Sequence, residues 1–351
     1  MKYIVLSWAL LCLCFSSCEE EELIGTQVAH HFFLENDHAN MPVLVEGNTA
    51  SKIFLLILHG GPGGDAMIYN HALSNFSDPL EERYAVVYWD QRASGNASGK
   101  FGNELMTIEQ FVDDLNQLIN LLEFRYGNDI QHFLLGHSWG GALGTAYLTT
   151  KDYQNRIAGW MNVAGVHNFI DYATMTRECL INKASEQINS ENYGEKWQEI
   201  LDFCTALNPD DISNLEETRL NQFGHKAGEY LTEDDVVQES MVNAQSIFKY
   251  SYFSNHNTLT ATTNLIFTSL ELFNKTEEDY TSSLSKVQTP ASYIWGRHDC
   301  VVPLAMGQQA FEAHGSADKE LVILERSAHS PMINEPEAFV NVVVDFIEEY
   351  R

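Results

Sequence analysis

Apolar runs and amphipathic segments alternate along most of the chain, as expected of an α/β protein. The runs IFLLIL at 53–58 and AVVYW at 85–89 predict parallel strands that are covered on both faces. After the second run, apolar residues recur at helical spacing, at Ile108, Phe111, Val112, Leu115, Leu118, Ile119 and Leu122. Thr107 with Gln110 predicts the start of this helix as a capping box, and Gly127 predicts its end.

Further strands are predicted at QHFLL 131–135, at 158–164, at ASYIW 291–295 and at LVIL 321–324. A last helix is expected from Pro336 to Glu349, because proline is favoured in a first helical turn. Together these elements predict an α/β fold with a mostly parallel sheet.

The order of the elements divides the chain into five parts. Residues 1–18 are expected to be a signal peptide, and 19–40 an acidic tether and first strand. Residues 41–166 and 290–351 form the two parts of the core. Residues 167–289 interrupt the alternation before the last two strands and are expected to form a helical cap.

The first residues carry a targeting pattern. Lys2 precedes the apolar stretch 3–15, and two serines then precede Cys18. This resembles the lipobox of bacterial lipoproteins, which implies cleavage before Cys18, its lipidation and attachment to a membrane of the cell envelope. The glutamates at 19–22 resemble a surface-export signal of some lipoproteins. A cleaved secretory signal and an uncleaved anchor remain as alternatives, and all three place the mature chain outside the cytoplasm.

Three cysteines remain after this segment: Cys179, Cys204 and Cys300. An odd number of cysteines cannot all pair within one chain. Two arrangements stay open: a disulfide between Cys179 and Cys204, or three free buried thiols. The sequence has no cysteine spacing typical of a metal site.

The balance of charge excludes one class of partner. The chain has 20 Lys and Arg residues against 49 Asp and Glu residues, a formal net charge of −29. Because the phosphate backbone repels such a surface, no nucleic-acid partner is expected.

The segment Gly136-His137-Ser138-Trp139-Gly140 lies where an apolar strand is expected to turn into a helix. Glycines around a serine at such a turn relieve crowding and leave the hydroxyl at the carboxyl end of the sheet. Ser138 is therefore the candidate nucleophile.

A serine nucleophile needs a base and an acid. Asp299 and His329 each follow a late strand, in the order nucleophile, acid, histidine. His329 is expected to take the Ser138 proton, and Asp299 to orient the imidazole.

Two main-chain N–H groups are expected to stabilise the oxyanion. One belongs to Trp139, after the nucleophile, and the other to Gly61 in the glycine run after the first predicted parallel strand. His59 and His137 are expected to brace loops rather than to act as bases. No cofactor or metal is expected, because the triad activates the nucleophile by itself.

Five motifs together resemble the α/β-hydrolase fold and, more narrowly, its proline iminopeptidase branch: HGGPGG at 59–64, WDQR at 89–92, GHSWGG at 136–141, WGRHD at 295–299 and SAHSP at 327–331. The resemblance implies that Ser138, Asp299 and His329 form the triad and that Gly61 and Trp139 form the oxyanion hole. It also implies release of an N-terminal residue whose free amine is bound by carboxylates of the cap.

Two substrate classes stay open. One is a short peptide cleaved by an aminopeptidase, and the other is a small molecule cleaved by an esterase, lactonase or other acyl hydrolase on the same triad. The cap glutamates that would bind an amine cannot be chosen from the sequence among Glu178, Glu186, Glu216, Glu217 and Glu229. No obligate protein partner is inferred.

Overall fold

The computed structural model describes residues 23–71, 73–99, 102–190, 194–239 and 278–351. The predicted signal segment, Cys18 and the glutamates at 19–22 lie outside these ranges. Within them, no helix combines the length and the apolarity that a membrane span requires.

The described strands are β1 Val28–Asn36, β2 Ala39–Gly47, β3 Ile53–Leu58, β4 Ala85–Trp89, β5 Ser98–Gly99, β6 Gln131–His137, β7 Ile157–Val163, β8 Ala291–Gly296 and β9 Lys319–Leu324. They form one nine-stranded sheet in the order β1-β2-β4-β3-β6-β7-β8-β9, with β5 beside β2. β1 and β2 are an antiparallel hairpin at one edge, and β3, β4 and β6 to β9 run parallel to one another.

Helices cover both faces of this sheet, and three more lie between β7 and β8. In chain order the described helices are α1 Met67–His71, α2 Ser74–Glu81, α3 Ile108–Tyr126, α4 Trp139–Thr149, α5 Phe169–Asn189, α6 Glu195–Ala206, α7 Asn214–Glu233, α8 Thr281–Leu284, α9 Leu304–Ala313, α10 Pro331–Asn334 and α11 Pro336–Tyr350. The mostly parallel α/β architecture predicted from the sequence is confirmed.

The continuous apolar run of β3 reflects burial on both faces of the sheet. Phe54 and Leu56 pack into a cluster with residues of α3 and α4, whereas Leu55 and Ile57 pack into a second cluster with residues of α2 and α11. Because neighbouring side chains of a strand point to opposite faces, each residue of the strand is buried against one of two helical layers.

The predicted helix after β4 is confirmed, but of the predicted capping box only the half made by Thr107 forms, because the Gln110 side chain donates to Asp114. The hydroxyl of Thr107 accepts a hydrogen bond from the Gln110 N–H at 3.3 Å at the start of α3. Gly127 ends the helix with a φ of 102°, a conformation that favours glycine.

Three helices between β7 and β8 enclose an apolar cluster of their own. α5, α6 and α7 contribute to it Leu180, Trp197, Ile200, Leu220 and Phe223, and Cys300 from the core also belongs to it. We call these three helices the cap helices.

One disulfide joins the cap helices to the core. Cys179 on α5 pairs with Cys300, with a Cα–Cα distance of 5.5 Å. Both options raised from the sequence, a pair between Cys179 and Cys204 and three free thiols, are therefore wrong. Cys204 is a free, buried thiol in the interior of the cap helices, whereas Cys179 faces the loop after β8. The spacing along the chain does not reveal this difference in direction.

Candidate active site

Ser138 lies at the sharp turn between β6 and α4. It has a φ of 58°, which is unusual for a residue other than glycine. The flanking glycines permit this turn, because a β-carbon at Gly140 would collide with the carbonyl oxygen of Leu58, and one at Gly136 with that of Gly140. The motif thus holds the hydroxyl above the carboxyl ends of the parallel strands.

Asp299 and His329 are in direct contact. Nδ1 of His329 lies 2.9 Å from Oδ2 of Asp299. The other carboxylate oxygen of Asp299 accepts the N–H groups of Val301 at 2.8 Å and Val302 at 3.0 Å. Because both oxygens are held, the carboxylate can fix the orientation of the imidazole and leave Nε2 for proton transfer.

Ser138 and His329 line the same cleft, which has a volume of about 490 Å³. Gly61 lines it too, whereas Asp299 is buried behind His329. The lining residues are His59, Gly60, Gly61, Gly64, Asp65, Ile68, Tyr69, His137, Ser138, Asn221, His225, Val301, His329 and Ser330.

The glycine loop passes directly over the candidate nucleophile. A β-carbon at Gly60 would lie 3.1 Å from Cβ of Ser138, and Gly61 has a φ of 131°. Trp139 begins α4, and its buried indole donates a hydrogen bond to Oε1 of Gln91 at 3.1 Å. The Trp139 side chain thus anchors the turn in the core, and its main-chain amide belongs to the first turn of the helix.

Two further histidines beside the site have both ring nitrogens in contact with neighbouring groups. His59 Nδ1 contacts the Gly60 carbonyl at 2.8 Å, and its Nε2 accepts the Gln91 N–H at 3.2 Å. Burial lowers the pKa of His59 to about 4 and that of His137 to about 3. Both rings are therefore neutral near pH 7 and brace the surrounding loops.

The sequence analysis did not predict four polar residues of the cleft: Asp65, Tyr69, Asn221 and His225. Asp65 directly follows the glycine run, and its position beside the proposed oxyanion loop could have indicated from the sequence that it lies at the cleft. Asn221 and His225 are one helical turn apart on α7, and nothing in their local sequence distinguishes them from the other polar residues of that helix.

The family model described as serine aminopeptidase, S33, matches residues 49–337. The chain belongs to this family. It is therefore a serine hydrolase of the α/β-hydrolase class, as the motifs around Ser138 predict.

Relatives of this S33 hydrolase match over nearly their whole length. It is 27% identical over 313 residues to a protein named probable aminopeptidase YbaC from Bacillus subtilis, covering 86% of this chain and 91% of the relative. It is 24% identical over 298 residues to a proline iminopeptidase from Heyndrickxia coagulans, covering 84% and 90%.

A solved structure of a proline iminopeptidase from Mycobacterium smegmatis matches with a TM-score of 0.61 at 17% identity, over 92% of this chain and 98% of that one. At this identity the likeness establishes the fold alone.

The cap glutamates of the S33 hydrolase differ in their surroundings. Glu216 caps the start of α7, Glu186 pairs with Lys183, and Glu178 and Glu229 are exposed. Glu217 is partly buried, and burial raises its pKa to about 7.

Glu217 also lies within electrostatic reach of the site. Burial raises the pKa of Tyr172, and the negative charges of Glu217 and Asp299 raise it further. Tyr172 in turn accepts a hydrogen bond from the cleft residue Asn221 at 2.9 Å. Glu217 precedes the cleft residue Asn221 by one helical turn, although it is not itself among the described residues that line the cleft.

Proposed function

We propose that this S33 hydrolase is an aminopeptidase that removes the N-terminal residue of short peptides through an acyl-enzyme on Ser138. In this mechanism Oγ of Ser138 attacks the scissile carbonyl while Nε2 of His329 takes the Oγ proton. His329 then gives the proton to the leaving amine. A water molecule then attacks the acyl carbon while His329 takes its proton. The bond from that carbon to Oγ breaks, and His329 returns the proton to Ser138.

The main-chain amides of Gly61 and Trp139 are proposed to hold the oxyanion that forms on the carbonyl oxygen. The closeness of Gly60 to Ser138 supports this, because it brings the glycine loop within reach of a carbonyl bound at the hydroxyl. The imidazolium that forms on His329 is stabilised by the carboxylate of Asp299 at 2.9 Å.

The charge of the cleft is the observation that carries the proposal. Among the described residues that line it, Asp65 is the one carboxylate, and none is Lys or Arg. Asp90 lies behind Asp65, and burial together with the charge of Asp65 raises the pKa of Asp90 well above its usual range. A negative charge at the cleft wall favours a substrate with a free ammonium group.

Glu217 is proposed as a second carboxylate for the same ammonium group. Its partial burial disfavours its charge in the empty protein, and the described residues supply no hydrogen bond or cation to it. A bound ammonium would restore a favourable partner for that charge. This position fits the expectation that carboxylates of the cap bind the substrate amine.

A second candidate function is hydrolysis of small acyl esters. It is favoured by the apolar part of the cleft, where Ile68 is 46% exposed beside Tyr69 and Val301. An exposed isoleucine in a cleft suits an acyl chain as well as an apolar amino-acid side chain.

The two functions are separated by a substrate panel on a chain that starts at Glu19. Arylamides of Pro, Ala and Phe are compared with their N-acetylated forms and with short acyl aryl esters, with Ser138→Ala as the blank. Turnover of free-amine arylamides that is lost on acetylation supports the aminopeptidase. Turnover of esters alone would refute it and leave the acyl-ester hydrolase.

The carboxylates are tested with the same panel. We expect Asp65→Asn and Glu217→Gln to raise KM for free-amine arylamides, with little effect on aryl esters. Glu216→Gln is the matched control, because the carboxylate of Glu216 is held by Ser213 at the start of α7. If Glu216→Gln and Glu217→Gln change KM for free-amine arylamides equally, Glu217 does not bind the substrate ammonium group.

We also propose that the mature chain is anchored in the cell envelope through a lipid on Cys18. The disulfide between Cys179 and Cys300 supports an oxidising compartment. Mass spectrometry of the full chain expressed in a bacterium would show the lipid mass on a peptide that begins at Cys18, and Cys18→Ser would lose it. An unmodified peptide at this position would contradict the anchor and favour a secreted chain.

A further inference from the structure

The hydroxyl of Tyr69, the ring of His137 and the main chain of His329 form a chain of hydrogen bonds beside the cleft. Tyr69 Oη lies 2.7 Å from Nδ1 of His137, and Nε2 of His137 lies 2.9 Å from the carbonyl oxygen of His329. The Tyr69 hydroxyl is also in hydrogen-bond contact with the main chain of Gly60. One side-chain relay thus connects the glycine loop, the turn of the nucleophile and the loop of the base.

The acceptor atoms in this series of hydrogen bonds define where its protons lie. A carbonyl oxygen can only accept, so Nε2 of His137 must carry the hydrogen that is donated to His329. Nδ1 of the neutral ring is then an acceptor and takes the O–H of Tyr69. Burial, and after it the nearby charge of His329, keeps the pKa of His137 at about 3.

We propose that His137, held in one tautomer by Tyr69, is a positioning residue that sets the place of the His329 main chain relative to Ser138. His137 is adjacent to Ser138 in the chain, so a bond from its ring to His329 spans the two reacting residues directly. This role of His137 rests on the proposed roles of Ser138 and His329, and it requires in addition that the His329 main chain is held in place.

Asp299 alone does not supply this restraint. It holds Nδ1 of the His329 ring, and so orients the ring, but the carbonyl of His329 is held by His137. His329 lies in the loop between β9 and α10, where no strand or helix fixes its main chain. Because proton transfer depends steeply on the separation of donor and acceptor, a loose main chain would lower kcat.

The groups that face His137 allow a neutral ring to act in this way. Tyr69 and the main chain of Gly60 lie on one side. The ring of His329 lies on the other, with ring centroids 4.9 Å apart, and His225 on α7 adds a further imidazole at the edge of His329. A charge on His137 would oppose the imidazolium that forms on His329, and its neutral tautomer avoids this repulsion.

The test uses Tyr69→Phe, His137→Ala and His137→Gln, because glutamine keeps an N–H donor that can reach the carbonyl of His329. The chain supplies a matched control in a second relay of the same kind. Tyr293 Oη lies 3.1 Å from Nδ1 of His314, whose Nε2 lies 2.9 Å from the carbonyl oxygen of Thr289, outside the cleft. Tyr293→Phe therefore removes an equivalent hydroxyl at a purely structural place.

Two readouts are taken, kcat and KM on a short acyl aryl ester and the rate of covalent labelling by a fluorophosphonate. We expect Tyr69→Phe and His137→Ala to lower kcat and the labelling rate about tenfold or more. KM should stay within about twofold of the wild-type value, since these variants disturb the alignment of His329 with Ser138 and not substrate binding. His137→Gln should recover most of the lost rate. Tyr293→Phe should leave both readouts unchanged while lowering the unfolding midpoint.

Wild-type kcat in Tyr69→Phe and His137→Ala would overturn the inference, and so would equal kcat losses in Tyr69→Phe and Tyr293→Phe. A failure of the proposed function looks different. In that case Ser138→Ala would keep its activity, or the wild-type protein would not be labelled at Ser138.

Discussion

Cys179 and Cys300 form a disulfide that joins α5 of the cap helices to the residue directly after Asp299. Sγ of Cys179 also lies 3.4 Å from the carbonyl oxygen of Asp299. The cap helices and the loop that carries the acid of the proposed triad are therefore joined by one covalent bond, although the two cysteines are 121 residues apart in the sequence.

Reduction of this disulfide is expected to lower both stability and activity. We expect Cys179→Ser/Cys300→Ser to lose about 2–4 kcal/mol of unfolding free energy, as for other native disulfides. Urea unfolding of the wild type with and without dithiothreitol should show the same loss. Cys204→Ala is the control and should stay sensitive to reduction, because Cys204 is not part of the bond. Equal midpoints for oxidised and reduced wild type would contradict the pairing.

Asp299→Asn tests the acid of the triad without removing its volume. The amide can present an N–H to Nδ1 of His329 and so favour the wrong tautomer, which leaves Nε2 protonated and unable to accept from Ser138. We expect kcat to fall about 10⁴-fold with an unchanged circular dichroism spectrum. Steady-state kinetics on whichever substrate the panel identifies will measure this, and a loss below about tenfold would argue that another carboxylate serves His329.

Gly60→Ala tests the closeness of the glycine loop to the nucleophile. The new β-carbon would lie 3.1 Å from Cβ of Ser138 and 3.3 Å from the carbonyl oxygen of His137, so the loop or the turn must shift. We expect kcat to fall by about 10²-fold or more, since the oxyanion donors move with the loop. Gly194→Ala is the control, because its nearest contact is a lysine side-chain atom at 3.8 Å. Unchanged kcat in Gly60→Ala would place the oxyanion donors elsewhere.

Glu81 is expected to make the stability of the protein depend on pH. Burial, and after it the charge of Glu46, raises the pKa of Glu81 from 4.5 to about 7. Between these values the folded protein keeps a proton that the unfolded chain has released, so the unfolding free energy falls as pH rises through this window. We expect Glu81→Gln to remove about 1–3 kcal/mol of this dependence.

Urea unfolding at pH 5 and pH 8 measures the Glu81 effect. The variant should be more stable than the wild type at pH 8 and similar to it at pH 5. Glu82 is an exposed neighbour, and Glu82→Gln should not alter how much the unfolding free energy changes between pH 5 and pH 8. If the unfolding free energy changes between pH 5 and pH 8 by the same amount in Glu81→Gln as in the wild type, other groups cause the pH dependence.

The sequence by itself determined the parallel strands of the sheet, the helix from Ile108 to Tyr126 and the place of the candidate nucleophile, but not the strands β2 and β5. These depend on local patterns, because apolar periodicity reports burial and the glycines beside Ser138 are needed wherever a strand turns sharply into a helix. The order of Asp299 and His329 after late strands was equally readable, since the carboxyl ends of parallel strands meet at one edge.

Only the tertiary structure decided the disulfide partner, the cap residues at the cleft and the relay through His137. Tyr69 is 68 residues from His137, and His137 is 192 residues from His329. Contacts between such distant residues depend on how the loops pack against one another, and periodicity carries no information about that packing. Glu217 and Glu216 illustrate the limit, because neighbours in one helix point in different directions. Only packing decides that burial raises the pKa of Glu217 whereas hydrogen bonds from Ser213 lower that of Glu216.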